Sequence, residues 1–197
     1  MLDIAFAKSA LPKSGTLVLL VGEGGEAGRG EVPGALHKAA DDATGGAIGR
    51  ALAAADFTGR VGQSAVILAP GAGLARVIAI GIGKRAAFSS RLAEDAGGTA
   101  TAMLARAAQA SVDVSGVTPT LAASFAMGAV LRGYRFDRYR TMEKPEDKPK
   151  LAKLVLLGGE AAKARAAWEG LRPVAEGVFL SRDLVSEPPN VLNPASM

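Results

Sequence analysis

The sequence predicts an α/β layered domain with a mixed, mostly parallel sheet flanked by helices. Two observations carry that prediction. Short, continuously apolar runs, Thr16 to Val21 and Leu154 to Leu157 among them, have the character of strands buried on both faces. Longer stretches between such runs place apolar residues at three- and four-residue steps, the spacing of one helix face.

In chain order, Leu2 to Ala7 reads as a first strand and Thr16 to Val21 as a second, after a turn at Pro12 and Gly15. A glycine-rich loop from Gly22 to Gly34 follows, with Pro33 suited to the first turn of a helix through Leu36 and Ala40. Ala43 to Ala55 reads as a second helical piece, weakened by Gly45, Gly46 and Gly49. Ser64 to Ala69 and Arg76 to Gly81 flank Pro70-Gly71-Ala72-Gly73, which is a hairpin signal. Ser89 or Ser90 can cap a helix carrying Leu92, Ala96, Ala100, Met103, Leu104 and Ala107 at helical spacing. Val112 to Val114 reads as a short strand, and Thr118-Pro119 starts a helix through Leu121, Phe125, Val130 and Leu131. Glu143 to Lys150 holds six charges and two prolines in eight residues, so it is an exposed loop. After the Leu154 to Leu157 strand come two helical stretches, Ala161 to Glu169 and another from Pro173 onward.

Composition bounds the chemistry. The chain has 197 residues, 49% of them hydrophobic but only 5% aromatic, so its core is built from Ala, Val, Leu and Ile. With no cysteine, disulfide scaffolds, thiolate metal sites and cysteine catalysis are excluded for this chain. The first eight residues lack the basic segment and apolar stretch of a signal peptide. No apolar run approaches the roughly 20 residues of a membrane span, so a cytoplasmic, membrane-free location is expected. The net charge of +4 chiefly concerns solubility.

Few residue groups could carry chemistry. Gly81-Ile82-Gly83-Lys84-Arg85-Ala86 has the spacing of a dinucleotide fingerprint, but no acidic residue follows at the required distance, and a strand ending in a tight turn explains it better. Gly22 to Gly30 could wrap an anion, yet contains two glutamates. The alternation of Arg132, Tyr134, Arg135, Arg138, Tyr139 and Arg140 permits nucleic-acid contacts but reads better as a charged connection after a helix. The single histidine, His37, reads as a partly exposed surface residue. No spacing gathers ligands for a metal, and no Gly-x-Ser-x-Gly elbow occurs. No catalytic, cofactor-binding or metal-binding residue is assigned.

Two stretches nevertheless resemble one family. Gly128 to Tyr139, which contains Leu131-Arg132-Gly133-Tyr134-Arg135-Phe136-Asp137-Arg138-Tyr139, is similar to a Leu-x-x-Tyr-x-Phe-Asp-x-Tyr segment of the leucine aminopeptidase (cytosol aminopeptidase) family. More specific is Ala175 to Pro194, with Gly177, Arg182-Asp183-Leu184-Val185, Pro188, Asn190, Leu192 and Pro194 at the offsets of that family's domain junction. Ser186 departs from the asparagine usual there. The turn Ile78 to Lys84 and the alanine-rich helix containing Gly97 also look like the family pattern.

The resemblance implies the N-terminal domain of a two-domain peptidase. Residues 1–172 would form a macro-domain-like α/β unit, and 173–197 a connecting helix and the start of a catalytic domain. That catalytic domain would hold two divalent metals, Mn or Zn, through acidic residues, a lysine and an Asn-Thr-Asp-Ala-Glu-Gly-Arg segment absent from this sequence. The expected partners are the chain's own catalytic domain and further copies in a hexamer. Two other readings stay open: a nucleotide or ADP-ribose module using Gly71, Gly73, Gly81 and Gly83, and a DNA-binding module.

Overall fold

In the computed structural model the described residues are 1–24 and 34–192. Pro33 and most of the glycine-rich loop therefore lie outside the described residues, as do Asn193 and Pro194. Among the described residues six strands form one sheet: β1 (Asp3–Lys8), β2 (Gly15–Gly22), β3 (Ser64–Gly71), β4 (Leu74–Gly83), β5 (Gln109–Asp113) and β6 (Lys153–Gly158). Their spatial order is β1-β6-β5-β2-β4-β3, with every pairing parallel except β3 against β4. The α-helices that cover it among the described residues are α1 (Ala35–Ala43), α2 (Ala47–Ala54), α3 (Ser90–Met103), α4 (Pro119–Arg132) and α5 (Ala161–Ser186). The mixed, mostly parallel α/β architecture expected from the sequence is the one observed.

The central strand shows why its run is uninterrupted. Leu17 to Val21 are all at most 3% exposed, because β2 is covered on both faces. Val18 and Leu20 join a larger core with Ile78, Val112 and Leu156 under α3, α4 and α5. Leu17, Leu19 and Val21 point the other way, into a smaller core with Ile48, Leu52 and Val77 under α1 and α2.

Local signals set the helix starts. Ser89 Oγ accepts from Leu92 N at 3.4 Å, and Thr118 Oγ1 accepts from Leu121 N at 3.4 Å, with Pro119 in the first turn of α4. Gly45 and Gly46 sit at positive φ and form the turn between α1 and α2.

Helices α3 and α4 touch backbone to backbone. A Cβ on Gly128 would fall 1.9 Å from Glu94 O, and one on Gly97 would fall 2.0 Å from Phe125 O. Ala93, Ala96 and Ala100 face Ala122, Phe125 and Ala129 across the larger core. The small residues of the sequence thus serve a close helix pair.

Two expectations differ from the structure. The two terminal helical stretches are one continuous helix, α5, with Pro173 inside it. Proline removes one helical hydrogen bond and crowds the carbonyl one turn earlier, and packing on both sides holds the helix against that cost, since Trp168 and Ala175 are both buried. His37 is not a partly exposed surface residue but is only 5% exposed. It follows Leu36 and precedes Ala40 by three positions, and these three residues form the buried stripe of α1.

Candidate functional site

The two family-like stretches, about 50 residues apart in sequence, meet where α4 ends beside the second half of α5. The Tyr134 hydroxyl donates to Asp183 Oδ1 at 2.8 Å. Its ring lies edge-on to Phe179, with centroids 5.1 Å apart. The Arg182 guanidinium sits 5.3 Å from the centre of the same ring and donates to Leu131 O at 2.9 Å. That carbonyl belongs to the last turn of α4, where a cation complements the helix dipole. Beyond α5, Tyr139 OH donates to Glu187 Oε2 at 2.5 Å, and Arg138 pairs with the same carboxylate. Arg-Asp in the second stretch and Tyr in the first are therefore partners in one network.

The electrostatics follow from these contacts. Burial and the hydrogen bond to Asp183 raise the Tyr134 phenol above its ordinary value. The hydrogen bond from Arg135 at 2.6 Å holds the Glu143 carboxyl below the usual carboxylate range. In the basic stretch, Arg135 and Arg138 are thus engaged with carboxylates of this chain.

Beside the network an apolar groove opens along α5, lined by Tyr134, Val174, Gly177, Val178, Ser181 and Val185. Val185 is 88% exposed and Leu180 61%, although both lie in a long amphipathic helix. Large exposed aliphatic residues on one element mark a contact surface.

The other sequence candidates do not assemble. Gly71 ends β3 and Gly73 lies in the turn just before β4, whereas Gly81 and Gly83 lie at the far end of β4. Ten residues of strand separate the two ends by about 30 Å, so the four glycines line no common site. Gly81 instead lets the segment ahead of β3 approach, since a Cβ there would fall 2.0 Å from Arg60 O. Lys84, Arg85 and Ala86 pass into a short 3-10 turn, Arg85–Ala87, so the fingerprint-like stretch is a strand end and turn. Asp41 Oδ1 accepts from Gly49 N at 2.9 Å and ties α1 to α2, while Glu94 and Asp95 lie early in α3.

One group escaped the sequence reading. His37, with Asp41, Val21, Leu52 and Phe57, lines a cavity of about 490 Å³ near the end of β2. Among the described residues its Nδ1 has no hydrogen-bond partner, and burial lowers its pKa, partly offset by the charges of Asp41 and Asp113. The helical spacing of Leu36, His37 and Ala40 was the available signal. Among the described residues no three His, Asp or Glu side chains come together in a group that could hold a metal ion.

Comparison with known proteins joins this geometry to a family. Residues 18–143 match the model of the cytosol aminopeptidase family, N-terminal domain. The chain is 43% identical over 157 residues to a probable cytosol aminopeptidase of Afipia carboxidovorans, covering 77% of this chain and 31% of the relative. It is 37% identical over 199 residues to that of Rhizobium etli, covering 98% of this chain and 38% of the relative. It thus spans about a third of the length of the curated relatives it matches. Among solved structures, a tomato leucine aminopeptidase mutant superposes with a TM-score of 0.79 at 24% identity, over 99% of this chain and 40% of that one. The bottromycin maturation enzyme BotP in complex with Mn gives 0.60 at 24% identity, over 93% of this chain and 34% of that one. No helix among the described residues is long and apolar enough to cross a membrane. By sequence and by fold, the chain belongs to the cytosol aminopeptidase family and corresponds to its N-terminal domain.

Proposed function

We propose that this chain is the non-catalytic N-terminal domain of a dinuclear-metal leucyl aminopeptidase, serving domain packing and hexamer assembly in the cytoplasm. On this reading residues 1–172 are the macro-like unit and 173–197 connect it to a catalytic domain. The full-length enzyme removes N-terminal amino acids from peptides, and its two metals, Mn or Zn, are held outside the described residues. The observation that carries the reading is the network of Tyr134, Arg182, Asp183 and Glu187, which fixes the second half of α5 while leaving Leu180 and Val185 uncovered. Such an arrangement suits a helix whose other face is meant for a second domain.

The test is leucine-anilide hydrolysis by the purified chain with added Mn or Zn. No turnover above a buffer control is expected. Sustained, metal-dependent turnover that co-purifies with the chain would overturn the non-catalytic assignment.

A further inference from the structure

The sheet ends at β3, and among the described residues no strand pairs with its outer edge. Gly81 N donates to Gln63 O at 2.9 Å, and the register sets Ser64 opposite Ile80. Gln63 and Gly81 are therefore a hydrogen-bonded pair, and antiparallel ladders alternate bonded with non-bonded pairs. Ala65 and Ile67 thus spend their N–H and C=O on β4, while those of Ser64, Val66 and Leu68 point outward.

The side chains make the edge adhesive. Ala65 and Ile67 pack on the smaller core, whereas Val66 is 48% and Leu68 75% exposed on the opposite face. Residues 61–75 carry no charge, so the lysines and other charges that commonly protect a sheet edge are missing. The regular pairing with β4 is interrupted between Leu68 and Gly71, where Ala69 takes a φ of 46° and Pro70 follows, before Gly71 pairs with Leu74.

We propose that this edge pairs antiparallel with β3 of a second copy of the chain, across a two-fold axis through Val66. It deepens the assembly role proposed above and rests on that reading for the choice of a second copy as the occupant. With the axis there, Ser64 faces Leu68 of the other copy and Val66 faces its own equivalent. Every outward N–H and C=O from Ser64 to Leu68 then finds a partner. No like charges oppose one another along the strand, and the Val66 and Leu68 side chains of both copies lie together on one face. The contact is isologous and closed, so it joins two copies without starting a fibre. The resulting sheet would run continuously through twelve strands.

The chain has no cysteine, so one introduced thiol reports one place. Val66→Cys, on the axis, is expected to form a covalent dimer on mild oxidation. Val61→Cys, also exposed but about 30 Å from its equivalent in such a dimer, is not. In sedimentation equilibrium, Val66→Lys sets like charges face to face, and Val66→Pro removes only an outward N–H. Each is expected to raise the dimer dissociation constant at least about tenfold, with thermal unfolding confirming that the variants fold. Self-association that survives both substitutions, with no crosslink at position 66, would overturn the edge and leave the assembly role standing. A chain monomeric at every concentration would also overturn the edge, whereas leucine-anilide turnover would touch only the non-catalytic reading.

Discussion

Gly128→Ala adds one methyl group where α4 touches α3. The new carbon would sit 1.9 Å from Glu94 O, 2.5 Å from Glu94 C and 2.6 Å from Glu94 Cα. All three are backbone atoms, so no side chain can swing aside. Relief requires the helices to part by more than about 1 Å, which loosens the contacts of Ala93, Ala96 and Phe125 in the larger core. Overpacking of this kind costs about 1–3 kcal/mol, and a backbone clash belongs at the upper end. Alanine returns about 1 kcal/mol through its better helix propensity. The net loss is about 2 kcal/mol, a fall in the melting temperature of about 4–8 °C for a domain of this size. Gly170→Ala is the matched control, because nothing lies within 4 Å of the Cβ position there. It carries the propensity gain without the clash and should raise the melting temperature by about 2–4 °C. Calorimetric or circular-dichroism melts of the two variants in one buffer give the comparison. If Gly128→Ala melts at or above the unsubstituted chain, the close helix approach is not the reason for that glycine.

Tyr134→Phe keeps the ring against Phe179 but removes the hydrogen bond to Asp183, which should loosen the second half of α5. Hydrogen exchange should quicken in residues 179–186 while β2 stays protected; unchanged exchange there would refute the network's role. Burial lowers the pKa of His37 below its ordinary value of 6.5, so the folded chain binds fewer protons than the unfolded chain between the two values. Its contribution is therefore whole above pH 6.5 and is lost as the pH falls through the lowered value. Denaturant midpoints from pH 7.5 to 5 should decline more steeply for the natural chain than for His37→Gln, and equal slopes would refute the assignment.

The readable parts of this fold are those whose signals are local. Leu17 to Val21 announced a strand buried on both faces, and Pro70 to Gly73 announced the hairpin. Ser89 and Thr118 marked their helix starts because a cap needs only its own first turn. Pro173 misled because proline's cost is local, whereas the packing of Trp168 and Ala175 that outweighs it is not. His37 misled for the opposite reason: its chemistry suggested the surface, but its helical phase with Leu36 and Ala40 placed it inside. The network of Tyr134, Arg182 and Asp183 spans about 50 residues of sequence, and no spacing rule connects such positions. Family likeness identified both stretches, but their contact became visible only in three dimensions.

The unbroken course of α5 through Pro173 fixes the angular phase of everything it carries. At 26 residues it is a rod about 39 Å long, and each residue advances it by about 1.5 Å and 100°. One residue inserted after Gly177 would swing Asp183 and Glu187 by about 100° away from Tyr134, Arg138 and Tyr139. Four inserted residues would bring them back to within about 40°, one turn further along. The helix therefore sets both the angle and the reach of the network, since even a whole added turn would carry Asp183 about 6 Å along the axis from Tyr134.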